Sequence, residues 1–206
     1  SVITTLQNKG SLGGSFNTMK DIDHTPEVAE IDGVRCVNFD GKADFLMSSQ
    51  NTPDTLTGDH ALTIEAKVYA NQKGDSTVLA LAPWLGEGTG RVQRDLNLCA
   101  PGGTGIMAGQ GRHKYPWNVD GAETQWTHLA CAYDGGRRSR IRLFVDGKLV
   151  NTFNRRSFAT IPGFKTYMGA SFVDRNGEKD LFNGAVASLK AYDYARTEEQ
   201  IKAAAK

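Results

Sequence analysis

Apolar and polar residues alternate along much of this chain. In Thr63-Ile64-Glu65-Ala66-Lys67-Val68-Tyr69, the apolar Ile64, Ala66 and Val68 fall on every second position. Successive side chains of a strand point to opposite faces, so this pattern predicts a β-strand with one buried and one wet side. Arg35-Cys36-Val37-Asn38-Phe39, Ala43 to Met47, Trp126 to Tyr133, Arg140 to Val145, Lys148 to Phe153 and Gly184 to Tyr192 are read as further strands. Within Arg140 to Val145, Ile141, Leu143 and Val145 share one face, and Arg140 and Arg142 share the other.

Turn dipeptides separate these runs. Asp146-Gly147 joins two of them, Asp134-Gly135-Gly136 closes the run from Trp126, and Asp40-Gly41 closes the run from Arg35. Aspartate and glycine tolerate the positive φ of a primed turn, so these are hairpin signals. Asp32-Gly33, Asp120-Gly121, Asn176-Gly177 and Asn183-Gly184 predict more turns. A helix is signalled only at the end, where Thr197 and Gln200 form a capping box before Ile201 and an alanine-rich tail. The stretches Gly86 to Gly90 and Pro101 to Trp117 read as long surface loops. Many short antiparallel strands and one terminal helix predict an all-β sandwich of two antiparallel sheets. With no interdomain linker visible, residues 1–206 read as a single domain.

Composition narrows the function classes. A hydrophobic share of 39% supports a sizeable core, and the 23 glycines match the many turns. A formal charge of +1 argues against a dedicated nucleic-acid binder, which would be visibly basic. No apolar run is long enough to cross a bilayer, and no signal peptide is present; the chain starts at Ser1 as a processed or excised polypeptide would. Cys36, Cys99 and Cys131 form no CxxC pair. They read as buried thiols at strand positions, with a disulfide between two of them left open.

Several motifs resemble a known family. Trp126-Thr127-His128-Leu129-Ala130-Cys131-Ala132-Tyr133-Asp134-Gly135 followed by Leu143-Phe144-Val145-Asp146-Gly147-Lys148 is similar to the core hairpin of laminin G-like, concanavalin A-like jelly rolls. Met168-Gly169-Ala170, Phe182 to Tyr192 and Ala195 to Ile201 resemble the family's later strands and closing helix. Upstream, Val37-Asn38-Phe39-Asp40-Gly41, Leu62 to Tyr69 and the opening Asn8-Lys9-Gly10-Ser11-Leu12-Gly13-Gly14 extend the likeness over nearly the whole chain. The resemblance implies a concanavalin A-like jelly-roll fold in a secreted, multi-modular protein, beside a glycoside hydrolase, a lyase or an adhesion domain. It also implies carbohydrate binding in many relatives, protein binding in some, and a structural calcium in several. Such motifs specify fold far more than function, because they are mostly turns and core positions.

Catalysis on this fold would need carboxylates placed together on one strand. Glu30-Ile31-Asp32 begins such a pattern, but Gly33-Val34-Arg35 follows and the closing glutamate is missing. No lyase-type R-x-E or Q-I-H strand, HExxH metal motif or G-x-S-x-G elbow is present. The glycines of Gly86-x-Gly88-x-Gly90 lead into no helix and make no phosphate cradle.

Sugar sites combine an aromatic platform with planar polar groups. Arg112-His113-Lys114-Tyr115-Pro116-Trp117-Asn118 and the loop around Trp84 have that composition. Trp84, Arg112, His113, Tyr115, Trp117 and Asn118 are therefore the candidate ligand residues, with capping of the core as the alternative role for either tryptophan. Trp126 opens a strand and reads as structural. Arg137, Arg138, Arg140, Arg142, Arg155 and Arg156 form a second candidate, for uronate or sulfate, against a plain solvated face. Asp21, Asp23, Asp40 and Asp44 could supply hard oxygen ligands to calcium, with a turn role the alternative for Asp40. The sequence thus favours a non-catalytic, extracellular carbohydrate-binding module whose partner is a glycan or polysaccharide. Nucleic-acid binding and membrane insertion are not expected, and a covalently linked catalytic domain is. The alternatives are a protein-interaction or adhesion domain and a divergent polysaccharide-degrading enzyme.

Overall fold

The expected strands form and pack as two antiparallel sheets of a jelly-roll sandwich, except that the strand read from Ala43 to Met47 begins only at Leu46 and runs on to Asn51. The computed structural model describes residues 1–18, 25–74, 76–81, 96–101, 105–108, 113–136, 138–158, 160–174 and 177–206. The seven-stranded sheet runs β13 (Lys148–Arg156), β12 (Ser139–Val145), β11 (Trp126–Tyr133), β6 (Leu62–Ala70), β17 (Asn183–Tyr192), β4 (Val34–Asp40), β3 (Glu27–Ile31). The eight-stranded sheet runs β1 (Thr5–Gln7), β2 (Ser15–Asn17), β5 (Leu46–Asn51), β14 (Lys165–Met168), β7 (Thr77–Leu81), β8 (Leu96–Cys99), β9 (Ile106–Ala108), β10 (His113–Tyr115). A small ribbon pairs β15 (Phe172–Asp174) with β16 (Gly177–Lys179).

Alternation sets the register between the layers. Ile64, Ala66 and Val68 are each at most 1% exposed and share one core cluster with Leu79, Leu81, Leu129, Leu143 and Val145. All three cysteines are buried thiols. Asp146 and Gly147 take φ of 50° and 72°, and Asp32 and Gly33 take 51° and 75°, so both pairs make the primed turns their residues favour. The Asp32 turn joins β3 to β4, which removes Glu30-Ile31-Asp32 from any single catalytic strand.

Two expectations change. Asn183-Gly184 is not a turn but the start of β17. A Cβ on Gly184 would collide with the carbonyl of Tyr69 and the ring of Phe182, so glycine there permits close strand contact. Pro101 to Trp117 is not simply a surface loop, because β9 and β10 lie within it and pair with each other.

The sheets differ at one flank in a way that matters for the site. β17 pairs with β6 from Gly184 to Tyr192, but with β4 only from Asn183 to Val186. Ser188 to Tyr192 therefore keep one edge unpaired among the described strands. Past β17, Thr197 accepts from the Gln200 backbone while the Gln200 side chain accepts from the Thr197 backbone, completing the expected capping box of α1 (Glu198–Ala204). Ile201 of α1 is buried against Ala130, Ala132 and Phe144 on the outer face of the seven-stranded sheet. No described helix is long and apolar enough to cross a membrane.

Candidate functional site

The sequence-expected ligand residues that the structure describes divide between core and surface. Trp117 is fully buried, and its indole N–H donates to the Cys99 carbonyl at 3.1 Å. A ring with no exposed face cannot stack on a sugar, so Trp117 has the core-capping role. Tyr115 is 4% exposed and meets Phe153 edge-on at 5.1 Å and Phe158 at 6.3 Å, which makes it core as well. Gly105 lets the backbone pass directly over Tyr115 to Trp117, because a Cβ there would overlap the Tyr115 carbonyl. Among the candidate residues described in this segment, His113 and Asn118 are exposed, as is Lys114 between them. Trp84 and Arg112 lie outside the described residues. Trp126 is structural, as expected, donating to the Ile31 carbonyl at 3.1 Å and packing edge-on against Tyr69.

Asp40, Asp44, Arg140 and Arg142 make contacts within the fold. Asp40 Oδ1 accepts from the backbone N–H groups of Lys42, Ala43 and Asp44, and Asp44 Oδ2 accepts from the Asp40 N–H. Burial raises the Asp40 pKa, but these three backbone donors outweigh it and hold the carboxyl below its ordinary range. As placed, Asp40 and Asp44 tie a turn. Asp21 and Asp23 lie outside the described residues, and no described cluster of three or more His, Cys, Asp or Glu could hold a metal. Arg140 and Arg142 do share a face, where Asp134 binds both at 2.8 and 3.0 Å. One carboxylate thus answers two guanidiniums, so half of their charge is met within the hairpin. Arg137 and the side chains of Arg155 and Arg156 lie outside the description.

A different feature forms the candidate site: a cleft of about 550 Å³ on the flank where β17 is unpaired. Its first wall is the β1–β2 hairpin loop. Asn8 braces that loop from inside, its Nδ2 donating to the Gly13 carbonyl at 2.8 Å and its Oδ1 accepting from Gly10 N–H at 2.9 Å. Gly14, at φ 76°, brings the loop against β5, and a Cβ there would stand 3.0 Å from Ser49 Oγ. The second wall is a bulge in β5. Between its pairings with β14 at Met47 and Asn51, β5 spends four residue steps where β14 spends two. Ser48 Oγ repairs the interrupted ladder, accepting from Thr166 N–H at 2.9 Å and donating to the Gln50 carbonyl at 2.6 Å. Ser49 Oγ accepts from Ser15 N–H at 2.9 Å, locking bulge to hairpin.

The chemistry of the lining is divided. Phe16, Leu56, Leu79, Leu81 and Leu189 supply apolar surface, while Ser48, Ser49, Gln50 and Asn51 bring hydroxyl and amide groups. That division is the usual one for a pocket that buries a ligand face and orients its polar groups. Little in the sequence announces it. The opening residues Asn8 to Gly14 were visible as a family motif, but the bulge at Ser48 to Gln50 arises from cross-strand pairing alone.

The fold defines a jelly-roll module of the lectin type. The sequence profile of the concanavalin A-like lectin/glucanases superfamily matches residues 42–202, and the chain belongs to that family, in its laminin G-like form. No curated protein sequence matches the chain. Domain 4 of AbnA, an extracellular GH43 arabinanase from Geobacillus stearothermophilus, solved with arabinotriose, superposes with a TM-score of 0.64 at 16% identity, covering 88% of this chain and 82% of that one. The CBM40 of Ruminococcus gnavus IT-sialidase, bound to α2,3-sialyllactose, gives 0.56 at 16% identity, covering 87% and 97%. The binding domain of botulinum neurotoxin DC, in complex with rat synaptotagmin II, gives 0.54 at 10% identity, covering 100% and 51%. At these identities the likeness is one of fold.

Proposed function

We propose that this chain is a non-catalytic carbohydrate-binding module, acting outside the cell as one domain of a larger protein, and that the β5–β17 cleft holds the glycan. The observation that carries the reading is the cleft itself: an apolar floor beside fixed hydroxyl and amide groups suits a sugar ring with one apolar face. The arabinotriose and sialyllactose complexes of two fold relatives support the glycan class without fixing the sugar. Among the described residues no aspartate or glutamate lines the cleft, which supports a binding role over the paired-carboxylate chemistry of glycoside hydrolysis. A catalytic domain joined to this one is the partner this reading expects.

Gln50→Ala/Asn51→Ala removes exposed rim amides, and Ser11→Trp narrows the mouth. A glycan array should show binding by the parent protein that both variants lose. Binding that survives in both variants would move the site elsewhere.

The unpaired edge of β17 favours one second reading. An extended peptide could add beside Ser188 to Tyr192 as an extra strand. Peptide capture with no glycan retained would select that reading.

A further inference from the structure

We infer that the cleft selects acidic sugars, and that Lys9 and Lys190 are the residues that recognise the carboxylate or sulfate. The inference rests on the cleft being the glycan site and adds the charge of its ligand. Its lining includes Lys9, from the braced hairpin loop, and Lys190, from the unpaired part of β17, and among the described residues no acidic one. Both lysines are exposed, and neither side chain has a hydrogen bond or ion pair to another described residue; Lys190 stands across the strand pair from Glu65, whose carboxylate is taken by Arg196 and His128. Some other cations are answered, Arg140 and Arg142 sharing Asp134, Lys73 meeting Asp120 and Arg196 meeting Glu65, while Arg35, Lys67 and Lys148 have no such partner among the described residues but do not line the cleft.

A third positive charge borders the same rim. Lys165 Nζ donates to the Ser49 carbonyl at 2.6 Å on the β5 bulge. Asp54 and Asp193 are close in sequence to cleft residues but are not part of the lining. The cleft therefore presents neutral hydrogen-bonding groups and uncompensated positive charge together. A neutral sugar would use the first and leave the second idle, whereas a uronate, sialate or sulfated sugar uses both.

The test compares matched pairs that differ in charge. Trigalacturonate is titrated beside its methyl ester, sialyllactose beside lactose, and a sulfated disaccharide beside its unsulfated form, by calorimetry at low and high salt. The acidic member of at least one pair should bind about ten-fold more tightly at low salt, with the advantage shrinking as salt screens it. Lys9→Gln and Lys190→Gln should each weaken that member about three-fold, as expected for exposed charges, and leave the neutral member within about two-fold. Equal or tighter binding of the neutral members would overturn the charge inference and leave the glycan reading intact. Binding of none of the six would overturn both. An acidic preference that survives the double lysine variant would reject these residues as its source.

Discussion

Replacing Glu65 by glutamine should loosen the C-terminal segment from the sheet. Glu65 is 2% exposed and sits on the outer face of β6, where Oε1 accepts from Arg196 Nη1 and Oε2 lies 3.6 Å from His128 Nε2. Arg196 in turn donates to the Gln200 carbonyl at 3.0 Å, lies 4.7 Å over the Tyr192 ring, and has its backbone N–H on Thr63 Oγ1 at 2.9 Å. One carboxylate thus anchors the segment that carries α1. Glutamine keeps the shape but leaves Arg196 and His128 facing a neutral amide. Removing one partner of a buried pair costs about 3–5 kcal/mol, and partial exposure of Arg196 favours the lower end, about 3 kcal/mol. For a chain of this size that lowers Tm by about 6–12 °C at neutral pH.

The pH profile gives a second readout. Burial pushes the Glu65 pKa up, but the bonds and charges of His128 and Arg196 outweigh it and lower the carboxyl below its ordinary value. A group with a depressed folded pKa contributes stability above its unfolded pKa and loses it as pH falls through the folded one. The parent protein should lose stability as pH falls below about 4.5, and Glu65→Gln should show a flatter acid limb. Calorimetric scans from pH 7 to pH 3 measure both effects. A Tm within about 2 °C of the parent at pH 7, or an unchanged acid limb, would refute this account of the clasp.

Trp117→Ala should cost about 3–5 kcal/mol of stability, as large-to-small core changes do, while Trp117→Phe should fold and keep glycan affinity; a selective loss of binding in the phenylalanine variant would restore Trp117 to the site. Gly14→Ala forces a side chain into a positive-φ position 3.0 Å from Ser49 Oγ, so it should weaken glycan binding more than it lowers Tm; unchanged affinity by calorimetry would show that the hairpin does not shape the cleft. Because backbone amides already occupy Asp40 and Asp44, EDTA should leave Tm within about 1 °C. A calcium-dependent rise in Tm would show that an ion is held after all.

The architecture was legible where period-two alternation met a turn with a chemical reason. Ile64, Ala66 and Val68 declare the inner face of β6, and Asp146-Gly147 fixes its own hairpin. The site was less legible, for physical reasons. Tryptophan suits a sugar platform and a core plug equally well, and only burial separates the two roles; Trp117 proved to be the plug. Arg140 and Arg142 read as part of an anion patch, and only the hairpin shows that both share the Asp134 carboxylate, which meets half of their charge. The cleft depends on a two-for-one slip between β5 and β14 and on an edge that β4 leaves open. Neither leaves a periodic trace in the chain.

The central claim is that the glycan lies between the Asn8–Gly14 loop and the β5 bulge. It is tested most directly by amide chemical-shift mapping with the tightest oligosaccharide from the array. The account predicts perturbations concentrated at residues 8–15, 48–52 and 189–192. Shifts confined to His113, Asn118 and the loop around Trp84, with the cleft silent, would contradict it.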